Sequence, residues 1–228
     1  MRTILYGQGE LAAMKDTYNI SSNRIEVNCF GVDNNFWKPS ENNDREDYVL
    51  SIGNDSRRDY ELLVKAARVI NRPVKILTRR ELPSNLPDNI EAVHGSWHEQ
   101  ALSDADLRNL YRKAFCVAVP LVNSIQPSGQ SVTLQAMACG TPVILTETDG
   151  LWETSALRHG KNILFTAPGD SEGLAGTITD LEQNRQMWQN LSEAGRKYIN
   201  DHGRIKQFAD RMETLCHTVM RRQVKKEI

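Results

Sequence analysis

The chain has 228 residues, 39% of them hydrophobic and 25% charged, with a formal net charge of −1. That length suits one good core and one domain, with room for appendages, and the near-neutral charge argues against general nucleic-acid binding, which needs a basic face or stripe. The longest apolar run, Ala114 to Val122, is nine residues and contains Pro120, against the roughly 20 needed to cross a bilayer.

The apolar N-terminal segment fades by Gly7 and meets Glu10, which makes a poor secretory signal. Residues 9–16 read as a helix and Arg24–Asn28 alternates like a strand; Gly31–Pro39 then breaks into loop, and the polar run Ser40–Asp47 reads as a connection. From Tyr48 the pattern becomes regular. Strands are expected at Tyr48–Ile52, Val74–Thr78, Ile90–Val93, Phe115–Val119, Pro142–Thr146 and Asn162–Thr166. Between them fall helices at Asp59–Ile70, about Asp104–Lys113 and after Ser128, with two further helices closing the series. This alternation predicts an α/β, Rossmann-like parallel sheet with helices on both faces.

Arg204–Val224 reads as an amphipathic helix, with Ile205, Phe208, Met212, Leu215 and Val219 on one stripe and a basic end at Arg221, Arg222, Lys225 and Lys226. That stripe packs on its own domain, or meets a membrane surface or a second chain. The four cysteines, Cys29, Cys116, Cys139 and Cys216, show no Cys-x-x-Cys pair and no close Cys/His set. They read as reduced, mostly buried thiols of a cytosolic protein.

The most informative stretch is Gln126–Ile144: a small polar loop, a helix, a glycine stop and a buried strand. Ser128, Gly129 and Ser131 allow backbone amides to approach a ligand closely, and the helix that follows adds free N–H groups and its positive dipole end. Such a loop suits a phosphate. Gly140 is placed to end the helix in a left-handed turn, and Thr141-Pro142 bars its continuation. Ligands of doubly wound sheets bind at the carboxyl ends of the strands, where Gly53, Thr78, Gly95 and residues 126–131 converge.

Several stretches, taken in order, resemble the C-terminal, donor-binding half of GT-B-fold retaining glycosyltransferases, the large group that includes sucrose and glycogen synthases. Gly31-Val-Asp33 with Phe36 and Pro39 is similar to that family's junction between halves. Ser51-Ile-Gly53, Arg58 and Leu62-Leu63 resemble its first donor-domain strand, basic residue and helix; Leu110-Tyr111, Ala114 and Pro120 resemble the helix and strand before the catalytic loop. The run Gln135–Ile144, with Gly150, Glu153 and Asn162–Leu164, agrees in order and spacing. The likeness covers about residues 1–200. It implies a junction remnant at 1–38, a nucleotide-sugar-binding domain at 39–200 and the amphipathic helix at 201–228.

The resemblance also implies roles. Gly53, Arg57, Arg58, Ser128, Gly129, Gln130 and Ser131 would hold the donor diphosphate, and Thr78, Arg79 and Gln135 the nucleotide, with no metal or other cofactor. Two guanidiniums can clamp a diphosphate bidentately; the competing reading of Arg57 and Arg58 is a solvated helix start. Departures bear on catalysis. The family's two glutamates, with seven residues between them, fall on Pro127 and Gln135, and its first phosphate-binding arginine falls on Asn54. Gln135 can still hydrogen-bond a ribose hydroxyl, whereas Pro127 offers no polar side-chain atom; Gln126 or Ser128 are possible substitutes. An acceptor-binding N-terminal half is expected to lie outside this chain.

Other constellations have plainer readings. Asp104-Ala-Asp106 has the spacing of a metal-binding pair but follows Ser103 and opens a helix, where acids are favoured. His94 and His98, flanking Trp97, read as structural histidines or as a lip of the crevice. No Gly-x-Ser-x-Gly supports a serine hydrolase. Gly7-x-Gly9 lacks a third glycine and a preceding strand, so no dinucleotide site is expected. The expected function is the donor half of a retaining glycosyltransferase using a nucleoside-diphosphate sugar in polysaccharide or glycolipid synthesis. The alternative is a non-catalytic sugar-nucleotide-binding or interaction module, and an epimerase or phosphorylase of the same fold group is a third. Expected partners are the sugar nucleotide and a separate acceptor domain or a second copy, with no nucleic acid, in the cytoplasm and with peripheral membrane contact open.

Overall fold

The computed structural model describes residues 3–41, 45–93 and 102–224. Among these, six parallel strands form one sheet in the order β5-β4-β3-β6-β7-β8: β3 (Val49–Ile52), β4 (Val74–Leu77), β5 (Ile90–Val93), β6 (Cys116–Val119), β7 (Val143–Thr146) and β8 (Leu164–Thr166). Every residue of β3, β6 and β7 is buried, as expected of strands covered on both faces. The period of two sorts their side chains. Leu50, Ile52, Val117, Val119, Val143 and Leu145 join one core, while Val49, Cys116, Ala118 and Ile144 join the other. Burying each larger side chain contributes about 1.5–3 kcal/mol.

Helices α2 (Tyr60–Ala67) and α5 (Ser171–Gln183) cover the second face, and α3 (Asp104–Lys113), α4 (Gln130–Ala138) and α6 (Arg185–His202) build the first. Their starts follow local chemistry. Asp59 caps α2 by accepting from Leu62 N at 2.9 Å, and Ser103 with Asp106 forms a reciprocal capping box on α3. That box lowers the Asp106 pKa through its hydrogen bonds to Ser103 and confirms the helix-start reading of Asp104-Ala-Asp106. At the far end of α4, Gly140 adopts φ 75°, while Gly140 N donates to Met137 O and Thr141 N to Ala136 O. This is the predicted left-handed stop, in its Schellman form.

The C-terminus of α2 depends on a residue distant in sequence. Asn89 Nδ2 donates to the carbonyls of Ala67, Ile70 and Arg72 at 2.9, 3.2 and 3.0 Å. Asn89→Ala leaves these carbonyls without that donor and is expected to cost about 1–3 kcal/mol, read as a lower midpoint with unchanged slope in urea unfolding.

The N-terminal segment departs from its sequence reading. Thr3–Leu5 is a strand, β1, pairing in parallel with β2 (Ile25–Val27) around α1 (Glu10–Tyr18). Three apolar-leaning residues are too short a run to display periodicity. Gly7-x-Gly9 therefore does follow a strand, contrary to expectation. It makes no phosphate cradle, however, because Gln8 N and Gly9 N donate to the carbonyls of Trp152 and Leu151.

Helix α7 (Ile205–Val224) lies on this small unit. Phe208 packs at a tilt against Tyr6 and Phe30, with ring centroids 6.2 and 6.1 Å apart. Arg211 Nε donates to Asn28 Oδ1 and its Nη2 to Cys29 O. Packing on its own chain thus occupies this part of the stripe. Among the described residues no helix is long and apolar enough to cross a membrane. All four cysteines are free, Cys116 and Cys139 buried and Cys216 exposed; burial pushes the Cys116 and Cys139 thiols up to about 12.

Candidate functional site: a crevice at the strand ends

The strand order reverses between β3 and β6, which opens a crevice at their carboxyl ends. The two loops that leave these strands are stitched together. Asp59 N donates to Pro120 O at 3.0 Å, Val122 N to Arg57 O at 2.9 Å, and Arg58 forms an antiparallel bridge with Leu121. The second loop is held at its far side by Leu121 N to Thr146 Oγ1 and by the reciprocal pair of Asn123 with Asp149.

Gly53 is the hub. Its carbonyl accepts from Tyr60 Oη and Thr78 Oγ1, both at 2.7 Å, and its N–H donates to Leu77 O at 3.2 Å. Burial raises the Tyr60 pKa, so the hydroxyl keeps the proton it donates. The Arg58 guanidinium lies directly against the Gly53 α-carbon, where a Cβ would collide with its Nε. Gly129 lies beyond it: φ is 77°, and a Cβ would stand 2.7 Å from Val119 Cγ1 and 3.1 Å from Arg58 Nη1. Both glycines are required by this close approach as much as by backbone freedom.

Arg58 is therefore a buried cation under the loop, its side chain 2% exposed. Its Nε lies 3.3 Å from Asp55 Oδ2, yet neither Nε nor Nη1 has a hydrogen-bond partner among the described residues. Buried guanidinium nitrogens left unpaired are costly, and these sit beside the start of α4. That helix carries no side-chain cap, so its first-turn amides have no intrahelical acceptor and present the positive dipole end. A buried cation and a bare helix start, one glycine apart, are groups that an anion would satisfy.

The remaining predicted residues are distributed as follows. Ser128 Oγ donates to Asp55 Oδ1 at 2.7 Å, and Ser131 is exposed on the first turn of α4. Gln130 turns away from the loop to donate to Tyr6 O at 2.9 Å, tying α4 to the N-terminal unit. Arg57 is half-buried with its Nε unpartnered, and its side chain makes no hydrogen bond to residues 126–131 among those described. Thr78 is buried with its hydroxyl spent on Gly53, and Arg79 is exposed with its N–H held by Asn54 Oδ1 at 2.7 Å. Gln135 Oε1 accepts from the fully buried Tyr111 Oη at 3.0 Å. Gly95 and the His94, Trp97 and His98 group lie outside the described residues.

Asp55 and Asn54 were not anticipated from sequence as site residues. Asn-Asp-Ser after a strand glycine reads only as turn chemistry, and nothing local signals a contact with Ser128 across 73 residues. Arg80 Nη1 closes the same turn on Asp55 O at 2.6 Å and lines a hollow together with Arg58, Ser56, Tyr60, Glu61 and Glu81.

Comparison with known proteins fixes the family. The profile described as Glycosyl transferases group 1 matches residues 46–184, which contain the whole crevice. The chain belongs to this glycosyltransferase family. D-inositol 3-phosphate glycosyltransferase of Rhodococcus erythropolis is 27% identical over 200 residues, covering 75% of this chain and 43% of that protein. Sucrose-phosphate synthase of Thermosynechococcus elongatus superposes with a TM-score of 0.77 at 22% identity, over 95% of this chain and 58% of that one. Anabaena Alr3699/HepE, solved in complex with UDP-glucose, gives 0.73 at 18% identity, over 93% and 64%. The fold is thus that of one half of a GT-B glycosyltransferase. The chain spans between 9% and 43% of the length of the curated relatives it matches.

Proposed function

We propose that the crevice binds the diphosphate of a nucleoside-diphosphate sugar and that this chain supplies the donor side of a retaining glycosyl transfer in polysaccharide or glycolipid synthesis. The observation that carries this reading is the buried Arg58 guanidinium, whose Nε and Nη1 lack hydrogen-bond partners among the described residues, beside the uncapped start of α4. When the glycosidic bond to the donor breaks, negative charge grows on the departing diphosphate. A fixed guanidinium and helix amides stabilise it without reorganisation. The positive charge comes from the protein, and the reading needs no metal. That Alr3699/HepE was solved with UDP-glucose supports a sugar nucleotide as the ligand class.

In this reading residues 1–38 are the junction with an acceptor-binding half, 39–200 form the nucleotide-sugar-binding domain, and 201–228 form the C-terminal amphipathic helix. Gln130 to Tyr6, and Gln8 to Trp152, are among the contacts that join the first two parts. The acceptor hydroxyl arrives from a separate domain or a second chain. Pro127 and Gln135, standing where the family carries glutamates, favour a second reading, a sugar-nucleotide-binding module without transfer activity. Calorimetric titration with UDP, GDP and ADP tests the shared premise. Saturable binding of one nucleotide is expected, and binding of none would overturn both readings. Adding an acceptor-binding half then separates them: transfer marks a split enzyme, and intact binding without transfer marks a module.

A further inference from the structure

The diphosphate reading leaves one group at the crevice unexplained. Asp55 places a carboxylate among the groups that should receive phosphate oxygens. Its Oδ1 accepts from Ser128 Oγ at 2.7 Å and from Arg57 N at 3.1 Å, and its Oδ2 faces Arg58 Nε at 3.3 Å. These are donors of the loop hydroxyl, a turn amide and the buried cation, the set a phosphate oxygen would seek. Asp55 is also the outer member of the pair. Its side chain is 41% exposed where that of Arg58 is 2% exposed, so the carboxylate is the solvent-facing member.

The fit of this carboxylate is incomplete. Its contact with Arg58 lacks hydrogen-bond geometry, since Nε remains unpartnered, and it leaves Nη1 untouched beside Gly129. It holds the position without satisfying the cation. Its anchorage, a hydroxyl and one amide in an exposed turn, is of the kind that exchanges readily with water.

Resting on the diphosphate reading, we infer that the Asp55 carboxylate is an internal competitor for the anion position, occupying the Ser128 hydroxyl and facing Arg58 until a ligand phosphate displaces it. Ligand binding swaps one anion for another. Ser128 Oγ–H leaves Asp55 for a phosphate oxygen, the unpartnered Arg58 nitrogens gain acceptors, and the carboxylate turns to solvent because two like charges cannot share the position. Asp55 thereby weakens the hold of small free anions, and a ligand must bring further contacts of its own to stay.

Inorganic pyrophosphate, which offers the phosphates alone, is the probe. Its affinity is measured by calorimetry for the whole chain and for Asp55→Asn, Asp55→Ser and Arg58→Ala. Asn keeps the shape and removes the charge; Ser removes the charge without an added amide donor, so an effect shared by both belongs to the charge. Both are expected to bind pyrophosphate about tenfold more tightly than the unaltered chain, the size of effect that a nearby like charge exerts at a partly exposed site, while Arg58→Ala binds at least tenfold more weakly. Unchanged or weaker binding by both Asp55 variants, with binding by the unaltered chain that Arg58→Ala removes, would overturn the competitor role and leave the phosphate site standing. Absence of binding in the unaltered chain and both Asp55 variants would overturn the site and the competitor together.

Discussion

A Gly53→Ala chain is expected to melt at lower temperature and to lose nucleotide binding in the same step. The added methyl meets the Arg58 guanidinium, and neither side can yield cheaply. Gly53 is fixed by Tyr60, Thr78 and Leu77. Arg58 is enclosed between Gly53 and Gly129, with a side chain 2% exposed. Overpacking of this kind costs about 1–3 kcal/mol, and each kcal/mol lowers the melting temperature by about 2–4 °C at this chain size. Thermal melting and nucleotide calorimetry on the same preparation check it. A variant that melts lower but binds normally would show that Arg58 does not contribute from where it lies.

The second large effect concerns the cation itself. Arg58→Ala is expected to weaken nucleotide binding by about 3–4 kcal/mol, the usual value of one preorganised donor in a desolvated anion site, or more than a hundredfold. Stability should change far less, since the substitution also removes guanidinium nitrogens that are buried without partners. Arg58→Lys is expected to recover little. An ammonium on a shorter stem carries the charge but cannot present two faces, one toward Gly53 and one toward Gly129. Full recovery by lysine would mean that charge alone, without the fork, holds the ligand.

Most of the fold could be read from residue order because its signals are local. The buried runs Val49–Ile52, Cys116–Val119 and Val143–Thr146 are fully apolar or nearly so, and Asp59, Ser103 and Gly140 mark helix ends by capping chemistry that acts over three or four residues. β1 was hidden because Thr3–Leu5 is too short for a period to emerge and its pairing with β2 spans α1. The meeting of the strand ends with the Gly129 loop was legible, since the alternation of strands and helices already implies a doubly wound sheet.

What each side chain does there was less legible, because partners come from distant segments. The resemblance gives Thr78 to the nucleotide, and nothing local shows that its hydroxyl donates to Gly53 O, 25 residues away. Gln130 was assigned to the diphosphate, and its amide reaches Tyr6 O across 124 residues. Asp55, which no sequence signal singles out, faces both Ser128 and Arg58. Only folding brings these charges together.

The most direct test of the central claim is a crystal structure of the chain soaked with UDP-glucose. Phosphate oxygens within hydrogen-bond distance of the Arg58 guanidinium and the amides of residues 129–131 are expected, with the nucleoside lying along the ends of β3 and β4. A diphosphate seated away from both the Arg58 guanidinium and the amides of residues 129–131, with Arg58 Nε and Nη1 making no contact to it, would contradict it.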